Sequence, residues 1–102
     1  MQIFNLDSVK TYPYEERDKN VFFKADEFKT RIIKLSPGES IPECEMSSYV
    51  IFIVLEGEAD ITVNKDKANL VKNQCLITKP SLISMQSRNG AKMIGIQVAK
   101  NL

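Results

Sequence analysis

Histidine is absent from the sequence, and so is tryptophan. The first absence removes the commonest metal ligand and the side chain whose ordinary pKa lies nearest neutrality. Histidine-based proton transfer, nucleophile activation and metal binding are thereby excluded. Cysteine is scarce as well: Cys44 and Cys75 are the only two, and in a reducing compartment they are expected as free thiols rather than a bridge. Charge of one sign never gathers. Fourteen Lys and Arg stand against thirteen Asp and Glu, a formal net charge of +1, and there is neither a basic stripe interleaved with aromatics nor a helix-turn-helix pattern, which argues against a nucleic-acid partner. Long hydrophobic runs are missing too. The longest, Tyr49 to Leu55, is far short of the ~20 residues of a membrane helix. Met1 to Leu6 leads into Asp7 and Lys10 rather than into the apolar stretch and small-residue cleavage site of a secretory leader. The expectation is a cytoplasmic protein with no membrane partner.

What is there reads as β-structure. The chain of 102 residues suits one domain over 1–102, long enough to bury roughly two-thirds of the surface its unfolded form exposes. Turn signals recur every eight to twelve residues with β-branched and aromatic residues between them, the pattern of a sandwich or closed barrel. Strands are predicted over Asn20 to Ala25, Phe28 to Ser36, Ile41 to Met46, Tyr49 to Leu55, Ala59 to Val63, Ala68 to Val71, Cys75 to Thr78, Leu82 to Ser87 and Met93 to Val98.

The turns carry their own chemistry. Ser36-Pro37-Gly38-Glu39 predicts a type II turn, with proline presetting φ at the first central position and glycine accepting positive φ at the second. Glu56-Gly57-Glu58 is expected to turn one strand into the next, and Asn89-Gly90 is the strongest two-residue hairpin signal. Tyr49 to Leu55 is apolar at both parities, so both faces of that strand need cover, one from the interior and one from other protein. Ala59, Ile61 and Val63 alternate with Glu58, Asp60 and Thr62, the pattern of a strand with one wet face.

One spacing points to a family. Gly38 is followed after five residues by Cys44-Glu45-Met46, after three more by Val50 and after six more by Gly57. The segment resembles the first cupin motif, in which the glycines frame His-x-His and a glutamate at those intervals. Pro80, Leu82, Met85 and Asn89 are similarly spaced to the second motif, where proline, glycine, histidine and asparagine stand; Asn73 falls near the place of its opening glycine. The motif-bearing core is thus 37–89. The glycines of the first motif, the prolines and Asn89 match, whereas the ligand positions hold Cys44, Met46, Val50 and Met85.

The resemblance implies an all-β jelly-roll β-barrel of two antiparallel sheets with a pocket between them, often built as a dimer. In typical members three histidines and one carboxylate hold a metal there. Here the same four positions would make the pocket apolar and sulfur-rich, so no metal and no cofactor is expected. Oxygen ligands for a hard cation are missing. A Cu(I) site from Cys44, Met46 and Met85 is the alternative, since soft ligands select that ion, but methionine also fills irregular core gaps and free cysteine packs as a small hydrophobe. Catalysis through Cys44 is disfavoured because Glu43 and Glu45 flank it and no histidine can serve as its base. Asn89, Ser48 and Ser87 are candidate polar pocket groups, with Arg31 and Gln97 as further side chains that could meet a ligand.

Two functions follow. The first is a metal-independent homodimeric module that binds a small apolar molecule or acts as a structural accessory; the second is an enzyme, either a copper cupin or a metal-free isomerase-like one.

Overall fold

A computed structural model of the chain describes residues 1–100; residues 101 and 102, the end of the expected span, lie outside it. Among the described residues eight strands form: β1 Val21–Lys24, β2 Phe28–Leu35, β3 Ser40–Met46, β4 Val50–Val63, β5 Asp66–Val71, β6 Cys75–Thr78, β7 Ser81–Gln86 and β8 Ala91–Val98. All pairings are antiparallel. The order is β1-β2-β8-β4-β7-β3, with β5 and β6 also hydrogen-bonded to β4.

β4 is the spine of the molecule. Its first half pairs with β6 and β8, its second half with β5 and β7, so one 14-residue strand belongs to both sheets of the barrel. Glu56-Gly57-Glu58 therefore does not turn one strand into another. A register shift between Val54 and Glu56 and a positive φ of 74° at Gly57 bend the strand from one sheet into the next, as a bulge does. Glycine is required at this bend: a Cβ there would collide with the Gly90 carbonyl.

Asn89-Gly90 also departs from expectation. Gly90 has φ 97°, but β7 and β8 do not pair with each other, so the dipeptide is a corner between sheets rather than a hairpin turn. Tertiary hydrogen bonds decide this. Ser87 N–H donates to Glu39 O, Gly38 N–H to Ser87 O and Glu58 N–H to Gly90 O, holding the corner against two other turns. The two-residue hairpin lies instead at Asn64-Lys65, with φ of 47° and 75° between the paired Val63 and Asp66.

Other turns follow their residues. Ser36–Glu39 closes through Glu39 N–H to Ser36 O, with Gly38 at φ 84°, as a type II turn requires. Asn73 has φ 71°, the left-handed conformation glycine takes most easily. The first predicted strand begins one residue late, because Tyr14–Asn20 forms a 3₁₀ segment instead.

The two faces of β4 are unequal. Val50, Phe52, Val54, Ala59 and Ile61 are buried and join Leu35, Leu70, Ile83, Met85, Ala91 and Met93 in one core. Ile51, Ile53 and Leu55 are only half-buried. Across the register, Ile51 lies between Ile77 and Ile96, and Ile53 between Cys75 and Ile94, so the outer face of this sheet is as aliphatic as its sequence. Ile77 is 63% and Tyr49 54% exposed.

Candidate functional site

A cavity of about 330 Å³ opens between the two sheets. That volume is at the small end of the range for ligand pockets, roughly 300–1,000 Å³. Its walls follow from strand parity. From one sheet come Arg31, Ile33 and Leu35 of β2, Val50 and Phe52 of β4, and Gly95 and Gln97 of β8. From the other come Ile41, Cys44 and Met46 of β3 with Ile83 and Met85 of β7. These residues share one face of each strand apart from the shift between Ile41 and Cys44, where β3 slips register against β7, and Ile32, Lys34, Glu45 and Ile96 between them also border the cavity.

Space is kept open by one missing side chain. A Cβ on Gly95 would lie 3.0 Å from Ile33 Cδ1 and 3.5 Å from both Arg31 Cγ and the Phe52 ring. Any larger residue would therefore press into the void. An isolated glycine inside the strand-like run Met93 to Val98 is the sequence signal for such close packing.

The N-terminal segment supplies the remaining wall with Tyr12, Tyr14, Arg17, Asp18 and Asn20. Asn20, only 7% exposed, fixes it: Tyr12 N–H donates to Asn20 Oδ1 at 2.7 Å, and Asn20 Nδ2 donates to Tyr12 O at 3.1 Å. One amide thus closes the loop 12–20. Arg17 stacks 4.2 Å over the Tyr14 ring, while Lys10 and Lys19 sit over Tyr12, contacts worth about 0.5–1 kcal/mol each at exposed sites. Sequence reasoning missed this wall, because the proline and the charges of Tyr12 to Lys19 read only as a break before the first strand.

Of the sequence-predicted positions, Cys44, Met46, Val50 and Met85 all line this cavity. Val50 and Met85 are buried, Met46 half-buried, and Cys44 is a free, exposed thiol whose Sγ lies 3.9 Å from the Glu45 carbonyl oxygen. Arg31 and Gln97 line it as well. Ser48, Ser87 and Asn89 do not. Ser87 is turned to the corner, where its hydroxyl donates to Glu58 O at 2.5 Å; Asn89 is exposed and donates to Glu58 Oε1 at 3.3 Å; Ser48 is buried without a hydrogen-bond partner among the described residues. The corner's own geometry consumes the first two.

No protein-family model matches the sequence, and no curated protein matches it. Solved structures do. A cupin superfamily protein from Desulfitobacterium hafniense DCB-2 is 25% identical and superposes with a TM-score of 0.71 over 78% of this chain and 73% of its own. A cupin-2 domain containing protein from Shewanella frigidimarina NCIMB 400 gives 0.75 at 15% identity, over 94% of each chain. An uncharacterized conserved protein with a double-stranded β-helix domain from Klebsiella pneumoniae subsp. pneumoniae MGH 78578 gives 0.84 at 18% identity, over 99% of this chain and 92% of that one.

The chain is a small cupin-fold protein.

Whether the residues at these positions suit a metal is a matter of their donor chemistry. The four side chains are one thiol, two thioethers and a hydrocarbon. Among the described residues, no three His, Cys, Asp or Glu side chains come together as a metal site. Such a set does not fit a cation that needs nitrogen or oxygen ligands. The chain also carries, among the described residues, no helix long and apolar enough to cross a membrane.

Proposed function

We propose that this cupin works without a metal, as a homodimeric binding module that holds a small, largely apolar molecule in its barrel. The observation that carries the reading is the cavity itself, with Val50, Met85, Met46 and Cys44 on its walls beside Phe52 and Ile83. Hydrocarbon and sulfur there favour an apolar guest through the area it removes from water, about 25 cal/mol per Å². Methionine suits such a role because its unbranched, polarizable chain adapts to the shape it meets.

A binding module is preferred over an enzyme because the sequence has no histidine, so acid-base work near neutrality would fall to a carboxylate, tyrosine or thiol whose ordinary pKa lies far from it. The two exposed free thiols fit a reducing cytoplasm. The dimer is argued from the outer face of β4, β6 and β8, where exposed Ile77 and Tyr49 adjoin Ile51 and Ile53. Isologous pairing would bury this patch against its own copy. Ile77→Glu is expected to convert a dimer to a monomer in light scattering, while leaving the fold's circular dichroism unchanged.

The test of the main reading is thermal shift with two panels, one of metals and one of small organic molecules, since whatever binds the native state raises Tm. Flat responses to Zn²⁺, Mn²⁺ and Cu(I) with stabilisation by apolar organic compounds are expected. Stoichiometric copper that disappears in Cys44→Ser would overturn the reading in favour of a thiolate-thioether centre.

A further inference from the structure

The cavity is not uniformly apolar. Arg31 occupies an inward position on β2, in one cross-strand row with Gly95 and Phe52, and it is half-buried among cavity-lining residues. Among the described residues the one ion pair is Lys19–Glu16, so the guanidinium has no carboxylate partner. Three acids also border the cavity: Glu39 accepts the Ser36 N–H at 2.8 Å, Glu45 stands at an outward register position opposite Leu82, and Asp18 is exposed on the 3₁₀ segment. Two other cations border the cavity, Arg17 and Lys34. Arg17 is stacked on Tyr14 and bonded to its carbonyl, and Lys34 pairs in register with Lys92, on the outer parity.

A planar cation with five fixed donors, set beside hydrocarbon, recognises a carboxylate bidentately. Partly desolvated, it also gains from an anion what its surroundings do not give. We infer that the cavity takes a small amphipathic monocarboxylate, with its carboxylate on Arg31 and its aliphatic or aromatic tail against Phe52, Met46 and Met85. This rests on the proposal that the barrel binds a small apolar molecule, and it adds the charged end. A monoanion is specified because one guanidinium neutralises one charge. The volume of about 330 Å³ limits the guest to a short branched or single-ring acid.

Calorimetric titration of the full chain with 4-methylpentanoate and phenylacetate, against their primary amides and against phenyl phosphate, tests this. The acids should bind about tenfold or more tighter than the amides, the discrimination expected of a charge-assisted hydrogen bond. Arg31→Met, which keeps the hydrophobic stem, should abolish that preference without weakening the amides, and Arg31→Lys should recover part of it. Circular dichroism of both variants reports folding independently. Equal affinity for acids and amides, or a preference that survives in a folded Arg31→Met, overturns the carboxylate assignment and leaves the apolar-binding proposal standing. Tighter binding of phenyl phosphate overturns the monoanion. Failure of every compound, amides included, would overturn the binding proposal itself and this inference with it.

Discussion

Asn20→Ala removes the amide that closes the N-terminal wall of the cavity. In the native state this side chain both accepts from and donates to the Tyr12 backbone, at 2.7 and 3.1 Å, in partly buried surroundings. Two such bonds contribute about 1–3 kcal/mol in total, the upper part arising because the Tyr12 N–H and C=O are left without partners. At about 2 kcal/mol, a domain of this size should lose roughly 8–16 °C in Tm, and its urea midpoint should fall by about 0.7–2 M at constant m. Part of the loss can appear as local opening of 12–20 rather than global unfolding. Hydrogen exchange at the Tyr12 amide separates the two, since local opening speeds it about tenfold for each 1.4 kcal/mol. Asn20→Asp keeps an acceptor for the Tyr12 N–H but turns an oxygen towards the Tyr12 carbonyl, and it should not rescue. An Asn20→Ala protein with unchanged urea midpoint and unchanged Tyr12 exchange would refute the claim that this amide holds the wall.

Gly57→Ala should cost at least ~2 kcal/mol, because its positive φ is strained for alanine and its Cβ meets the Gly90 carbonyl; Gly38→Ala, with φ 84° but nothing within 4 Å, should cost only ~1 kcal/mol, and comparing urea midpoints checks the ranking. Met85→Ala is expected to lose about 2–5 kcal/mol, as a large-to-small change at a buried site does, read by thermal unfolding; a loss under 1 kcal/mol would mean the site collapses freely. Gly95→Ala should weaken binding of acids and amides alike in calorimetry, since its methyl enters the space beside Arg31 and Phe52 rather than touching the charge. Ser87→Ala, which removes the hydroxyl that a residue only 2% exposed donates to the Glu58 carbonyl, should cost about 1–3 kcal/mol in the same denaturation assay.

The sequence by itself determined the all-β class, most strand positions and the type II turn at Ser36–Glu39, because alternation, β-branched runs and Pro-Gly act through local backbone sterics. It also determined the chemistry available at Cys44, Met46, Val50 and Met85, since no fold can turn sulfur and hydrocarbon into imidazole. The tertiary structure alone decided that Gly57 bends a single strand between sheets and that Asn89-Gly90 is a corner. In both cases the outcome depends on distant partners, the Gly90 carbonyl and the turn at Gly38 and Glu39, which local propensity cannot sense. The wall built by Asn20 was hidden for the same reason, and Gly95 signalled a close approach without saying that Arg31 and Phe52 stand beside it. A cavity is a relation among residues far apart in the chain, and periodicity along one strand says which way a side chain points but not what stands opposite.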